Sequence, residues 1–333
     1  MSRKSKAKLM RSSRINVTQK FIVVSLLLWI TTACTQTPIT PTSTPEADKS
    51  RYVADLEFIA QAPRIDGPHH TAVRDLCANR LTELGYTVER QDFGEGVNII
   101  GTRLGTNRPD EMVIVSAHYD TIPDSNGADD DASGVAGILE IARLLATEKH
   151  ARTLTVACWD KEEPALTGSY LYADREKKKN SKITVAYSLD EIGVSDDKPN
   201  SQRFPTGFEL VYPAVAQKMS ANQWRANFVL LIFDKQAQPW AQAIADSAKS
   251  EGLPSAQLEV NLEGKIPSEL KGSDHASFWG KGYSAIEVSD TSEYRNPFKH
   301  TQFDTVDTLN NDFAIKIISA VTASTRSALD SLE

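Results

Sequence analysis

The chain has 333 residues, with 44 acidic side chains against 37 basic ones and a net charge of −7. Residues 1–33 hold seven basic residues and no acid, so their removal takes the charge from −7 to −14. A body that acidic argues against nucleic acid as a partner, and the length suits one large α/β domain or two smaller ones.

The basic residues Arg3, Lys4, Lys6, Lys8, Arg11, Arg14 and Lys20 precede an apolar run from Phe21 to Ala33. That run is short for a membrane span. A basic start, a short apolar stretch and the small residues Thr31, Thr32 and Ala33 are the parts of an export signal. Cys34 directly after that exit resembles a bacterial lipoprotein signal, in which Cys34 becomes the lipid-bearing first residue of the mature chain. Ordinary secretion and an uncleaved anchor are the other readings. Thr35 to Ser50 is rich in Thr and Pro, lacks apolar periodicity and reads as a tether. The expected division is a signal peptide over 1–33, a lipid-anchored or flexible linker over 34–50 and one folded domain over 51–333. That domain is expected to face the periplasm or the cell exterior, held to the membrane through Cys34.

The folded part alternates helix and strand signals. His70 to Leu84 reads as a helix with Val73, Leu76, Cys77, Leu81 and Leu84 on one face, ended by Gly85. Thr87–Phe93 and Asn98–Leu104 read as an antiparallel edge pair. Met112–Ala117 is a short apolar run, suited to a sheet buried on both faces. A helix over Ser133–Leu145 follows, then a strand over Thr153–Trp159, a helix from about Gly168 to Lys178, and a strand over Ile183–Leu189. Asp196 to Phe228 is broken by Pro199, Pro205, Gly207 and Pro213 and reads as a long loop or flap. The remaining elements are a helix over Gln238–Ser250, strands over Gln257–Leu262 and Ser284–Val288, and a closing helix over Asn311–Leu329. Such alternation predicts a mixed sheet between layers of helices. Cys77 falls in a helix and Cys158 in a core strand, where both suit buried free thiols.

Five stretches supply acids or histidines at strand ends or in adjoining loops: His118-Tyr119-Asp120, Gly127 to Gly134, Glu162-Glu163, Asp190 and His300. Ligands in open α/β sheets gather beyond the carboxyl ends of the strands. Zinc accepts imidazole nitrogen and carboxylate oxygen, and a catalytic zinc keeps one position for water. Asp120, two residues from His118, can hold the ring's tautomer and orientation. Three consecutive acids, Asp129, Asp130 and Asp131, repel one another unless a cation offsets them. Ser133 is placed to cap the helix that follows. In the pair Glu162-Glu163, one carboxylate can bind metal while its neighbour takes a proton from water.

These stretches, with Leu166-Thr167-Gly168-Ser169, Ser273-Asp274-His275 and Asn296 to Thr301 followed by Asp304-Thr305, resemble the co-catalytic zinc aminopeptidases of the leucyl-aminopeptidase type, the clan MH zinc exopeptidases. The likeness covers about residues 55–330. It implies an α/β three-layer sandwich with a central mixed, mostly parallel sheet of about eight strands and helices on both faces. It also implies two Zn2+ ions per chain and hydrolysis of N-terminal residues from peptide substrates. By motif position, His118 and Asp190 would bind one zinc, Glu163 and His300 the other, and Asp130 both. Glu162 would be the general base and Asp120 the partner of His118.

The chain departs from that pattern where Pro164-Ala165-Leu166 follows the Glu pair and where Lys299, rather than Tyr, precedes His300. Lys299 is read either as a positive charge at the site or as a solvated surface lysine, which leaves oxyanion stabilisation unassigned. Asp129 and Asp131 are expected beside the metal ligands or in solvent, His275 in packing around the site, and His69, His70 and His150 at the surface. Two other functions share the resemblance: a single-zinc acyltransferase like the glutaminyl cyclases, and a non-catalytic binding ectodomain of the same fold.

Overall fold

The computed structural model describes residues 46–332. The export signal, Cys34 and most of the tether lie outside the described residues. Helix α1 (Lys49–Ile59) starts inside the segment expected to be linker, with the Asp48 carboxylate accepting the N–H groups of Ser50 and Arg51. Tyr52, Leu56 and Ile59 on its inner face are buried. The folded body therefore begins a few residues before 51.

From there the chain runs through α2 (Gly67–Glu83), β1 (Thr87–Asp92), β2 (Val97–Arg103), β3 (Arg108–His118), α3 (Gly134–Leu145) and β4 (Arg152–Trp159). It continues through a short α4 (Glu162–Ala165), α5 (Thr167–Lys178), β5 (Lys182–Leu189), α6 (Phe208–Val211), α7 (Pro213–Ala221) and β6 (Val229–Asp234). It closes with α8 (Gln238–Ser250), β7 (Ser255–Val260), α9 (His275–Trp279), β8 (Ala285–Ser289) and α10 (Asn311–Asp330). The eight strands form one sheet in the order β1-β2-β4-β3-β5-β8-β6-β7. β4, β3, β5 and β8 run parallel to one another, as does β7 to β6. β1–β2, β2–β4 and β6–β8 pair antiparallel.

The central strands are buried on both faces, which explains their continuous apolar runs. On β3, Val113, Val115 and Ala117 face a core shared with α1, α2, α3, α8 and α10, while Ile114 faces the opposite core. On β4, Leu154, Val156 and Cys158 share the first core, and Ala157 and Trp159 the second. That second core holds Tyr172 of α5, Met219 of α7 and Phe278 of α9. The three layers give the α/β sandwich that the sequence predicts. Cys77 and Cys158 are buried free thiols. Among the described residues, no helix is long and apolar enough to cross a membrane.

Candidate metal centre

The parallel strands β3, β4 and β5 point the same way, so their carboxyl ends share one edge of the sheet. His118 is the last residue of β3, Glu162 and Glu163 follow β4, and Asp190 follows β5. Asp130 enters from the turn ahead of α3, and His300 from a loop after β8. Several residues at these joints take positive φ, among them Lys161 (59°), Glu191 (55°) and His300 (59°). Non-glycine residues in that region cluster where a site requires them. Gly127 also has φ of 56°, and a Cβ there would meet the Asp130 carbonyl oxygen at 2.1 Å, so glycine is required.

The five expected ligands come together. His118, Asp130 and Asp190 offer donor atoms within 4.8 Å of one another, and so do Asp130, Glu163 and His300. Asp130 belongs to both groups, and its two oxygens diverge. Oδ1 lies 3.2 Å from His118 Nε2, and Oδ2 lies 3.0 Å from His300 Nε2. His300 Nε2 is also 3.1 Å from Glu163 Oε2. Asp190 Oδ1 stands 3.7 Å from His118 Nε2. Buried in place, Asp130 Oδ2 and Asp190 Oδ1 have no aligned hydrogen-bond donor. Histidine nitrogens and unsatisfied carboxylate oxygens converging on common points are the donor set of a zinc ion, and the residues fit one in each group.

Charge at the site argues the same way. Burial opposes the charged form of His118, yet Glu162, Asp120, Asp130 and Asp190 raise its pKa well above the usual value. Asp130 and Glu163 raise His300 to about 10. Burial pushes Asp129, Asp131, Glu162 and Glu191 well above the carboxylate range. A site this rich in buried acid is balanced by added positive charge.

The surrounding shell is built from backbone amides. Asp120 accepts the N–H of Glu162 (3.0 Å) and of Glu163 (3.3 Å), and its Oδ1 lies 3.5 Å from His118 Nδ1. It thus serves two ligand-bearing segments. Asp129 and Asp131 are fully buried rather than solvated. Asp129 accepts the Gly193 N–H and the Asn296 side-chain amide. Asp131 accepts the N–H groups of His118, Gly134 and Glu191. Asp131 and not Ser133 therefore caps α3; the Ser133 hydroxyl donates to the Asp129 carbonyl and accepts the Ile192 N–H.

Lys299 belongs to the site and is no surface lysine. Its Nζ is 3.2 Å from Glu191 Oε2, 2.6 Å from Ser292 Oγ and 3.7 Å from Asp130 Oδ2. His275 is buried, as expected of packing, with Nε2 3.1 Å from the Leu270 carbonyl. His70 and His150 are buried, contrary to expectation. His70 is stacked on Tyr119 and bonded to Asp160, and His150 is bonded to Asp330. Sequence reasoning missed Arg64, which holds the carbonyls that lead into the Asp130 turn. It also missed Asp304 as acceptor of the Asp129 and Asp130 amides.

The sequence model of peptidase family M28 matches residues 98–325, which include all five candidate ligands. The chain belongs to peptidase family M28. The expectation of a metallopeptidase of the zinc exopeptidase fold therefore stands. This M28 chain is 29% identical over 291 residues to the uncharacterized protein YfbL of Escherichia coli (strain K12), covering 81% of this chain and 84% of that one. It is 28% identical over 210 residues to a probable zinc metalloprotease of Pyricularia oryzae, covering 59% of this chain and 40% of the fungal one, so it spans well under half of that relative. Among solved structures, the aminopeptidase from Aneurinibacillus sp. strain AM-1 has the same fold, with a TM-score of 0.64 at 17% identity over 86% of this chain and 95% of that one.

Proposed function

We propose that this M28 chain is a dinuclear zinc aminopeptidase that removes N-terminal residues from peptides outside the cytoplasm. The divergent carboxylate of Asp130, one oxygen toward each histidine, carries the reading. On it, His118 and Asp190 would hold one zinc and Glu163 and His300 the other, with Asp130 belonging to both donor groups. Such a metal pair, when bound, supplies Lewis acidity and makes water acidic enough to attack at neutral pH. Among the chain's own groups, Glu162 is placed as general base. It is buried, belongs to neither ligand group, and its Oε2 is 4.0 Å from His118 Nε2. Its carboxylate takes the proton of the attacking water and hands it to the leaving amine. Asp120 keeps His118 Nε2 turned toward Asp130 and fixes the amide of Glu162. Export, with a lipid on Cys34, would place the enzyme where peptides arrive from outside.

The test is Glu162→Gln. Its turnover of aminoacyl amides should fall by about 10²–10⁴-fold, the usual worth of a general base, with zinc content equal to that of the wild type. Full activity in the variant refutes the assignment of the base.

A further inference from the structure

We propose that the large cavity beside the metal ligands receives the side chain of the peptide's first residue and selects lysine or arginine through Glu287. The inference rests on the aminopeptidase reading and names its substrate class. The cavity has a volume of about 910 Å³, and Asp190 and His300 stand on its wall. Leu230, Ile232 and Leu258 line it from strands β6 and β7, and Phe204 and Phe208 from the 196–228 segment. Among these apolar side chains, Glu287 of β8 contributes a carboxyl group.

Sheet register fixes where that carboxylate sits. Glu287 pairs with Ser188 in parallel register, two residues before Asp190. Residues two apart share a face, so Glu287 and Asp190 point to the same side of the sheet. Two strand steps and one interstrand step separate their backbones by about 8 Å. A long side chain on a residue bound at the metal ligands spans such a gap, whereas its α-amino group does not.

The Glu287 side chain is 13% exposed, and no N–H is aligned on its Oε2. The nearest ring nitrogen is His275 Nδ1, at 3.2 Å. His275 Nε2 points at the Leu270 carbonyl, which fixes the proton on Nε2 and leaves Nδ1 a bare lone pair. Burial lowers the pKa of this imidazole to about 4 and raises that of the Glu287 carboxyl to about 8, so at neutral pH the carboxyl mostly keeps its proton, within reach of the bare Nδ1. Among the described residues, no lysine or arginine forms an ion pair with Glu287. At the rim, the exposed Glu269 and Glu293 outnumber Arg203, and Lys299 is held by Glu191 and Ser292. Ionising this buried carboxyl is costly unless a cation accompanies the charge. An ammonium or guanidinium group supplies the donors, and the apolar walls take its methylene stem.

The experiment uses the full chain loaded with zinc and a panel of lysyl, arginyl, leucyl and glutaminyl amides. The wild type should favour lysyl and arginyl over leucyl amides in kcat/KM by roughly tenfold to a hundredfold, the worth of one charge-assisted hydrogen bond. Glu287→Gln should abolish that preference mainly through KM, and Glu287→Asp should restore part of it, which a general loss of folding would not do. A second readout needs no turnover: in the Glu162→Gln background, lysyl-alanine should bind at least about tenfold more tightly than leucyl-alanine by calorimetry. Equal kcat/KM for leucyl and lysyl amides overturns the pocket assignment and leaves the aminopeptidase standing. Preferential binding of lysyl-alanine with no amide cleaved by the wild type overturns the aminopeptidase and leaves the pocket. Equal binding of both dipeptides overturns the pocket assignment whatever the activity.

Discussion

Arg64 is a fully buried cation. Its guanidinium donates to four carbonyls, those of Tyr119, Ile59, Asn126 and Gly127. Burial lowers its pKa to about 10, with Asp131 and Asp130 acting against the shift, so it stays charged at neutral pH. It thereby clamps the residues just after His118 to those just before Asp130. Arg64→Met leaves those carbonyls buried without donors. It should cost roughly 3 kcal/mol or more of unfolding free energy, measured by urea titration. A change below about 0.5 kcal/mol, the level of an ordinary surface substitution, contradicts the clamp. Gly134 gives a second test, because a Cβ there would meet Asp131 Oδ1 at 2.3 Å. Gly134→Ala should displace the carboxylate that accepts the His118 and Glu191 amides and lower zinc retention on desalting. Unchanged zinc content contradicts that role. At this scale the candidate ligands were legible because each is a chemically specialised residue in a recognisable stretch. Arg64 was not, because its partners are backbone carbonyls brought near only by folding. His70 and His150 misled for a similar reason: their carboxylate partners are 90 and 180 residues away.

The 196–228 segment is the element that strand and helix patterns described least well. It holds two short helices, and the Asp196–Ala226 bridge closes its base. Arg295 ties both of its stems from outside. Its guanidinium donates to Gln202 Oε1, the Val194 carbonyl and the Phe228 carbonyl. The segment carries Phe204 and Phe208 into the cavity wall, so its position sets the shape of the pocket. Arg295→Met should free the stems and speed limited trypsin cleavage after Arg203, Lys218 or Arg225, with a higher KM for aminoacyl amides. A digestion rate equal to that of the wild type contradicts the tie. Sequence patterns reached the longer of the other elements to within a few residues, since buried strands and amphipathic helices announce themselves by period, but left the short α4 and α9 unpredicted. They lost β6, because the proline-broken stretch was read through Phe228, although Phe228 to Phe233 is continuously apolar. They also lost α1, because the Thr- and Pro-rich tether was extended to Ser50.

Over the whole molecule, the sheet brings ligands together that are up to 182 residues apart, from His118 to His300. β3 lies between β4 and β5, so the ends of three adjacent parallel strands supply His118, the Glu162-Glu163 pair and Asp190. The layering was legible from the alternation of elements, but the strand order was not, since pairing between distant strands leaves no local mark. Two clusters of donors sharing one buried carboxylate have a direct quantitative consequence. The measurement is zinc per chain, by elemental analysis of the full chain given excess zinc and then desalted, beside an Asp130→Asn variant treated identically. The account predicts two zincs for the wild type and fewer for the variant. One zinc in the wild type, or none, contradicts a dinuclear centre held by Asp130.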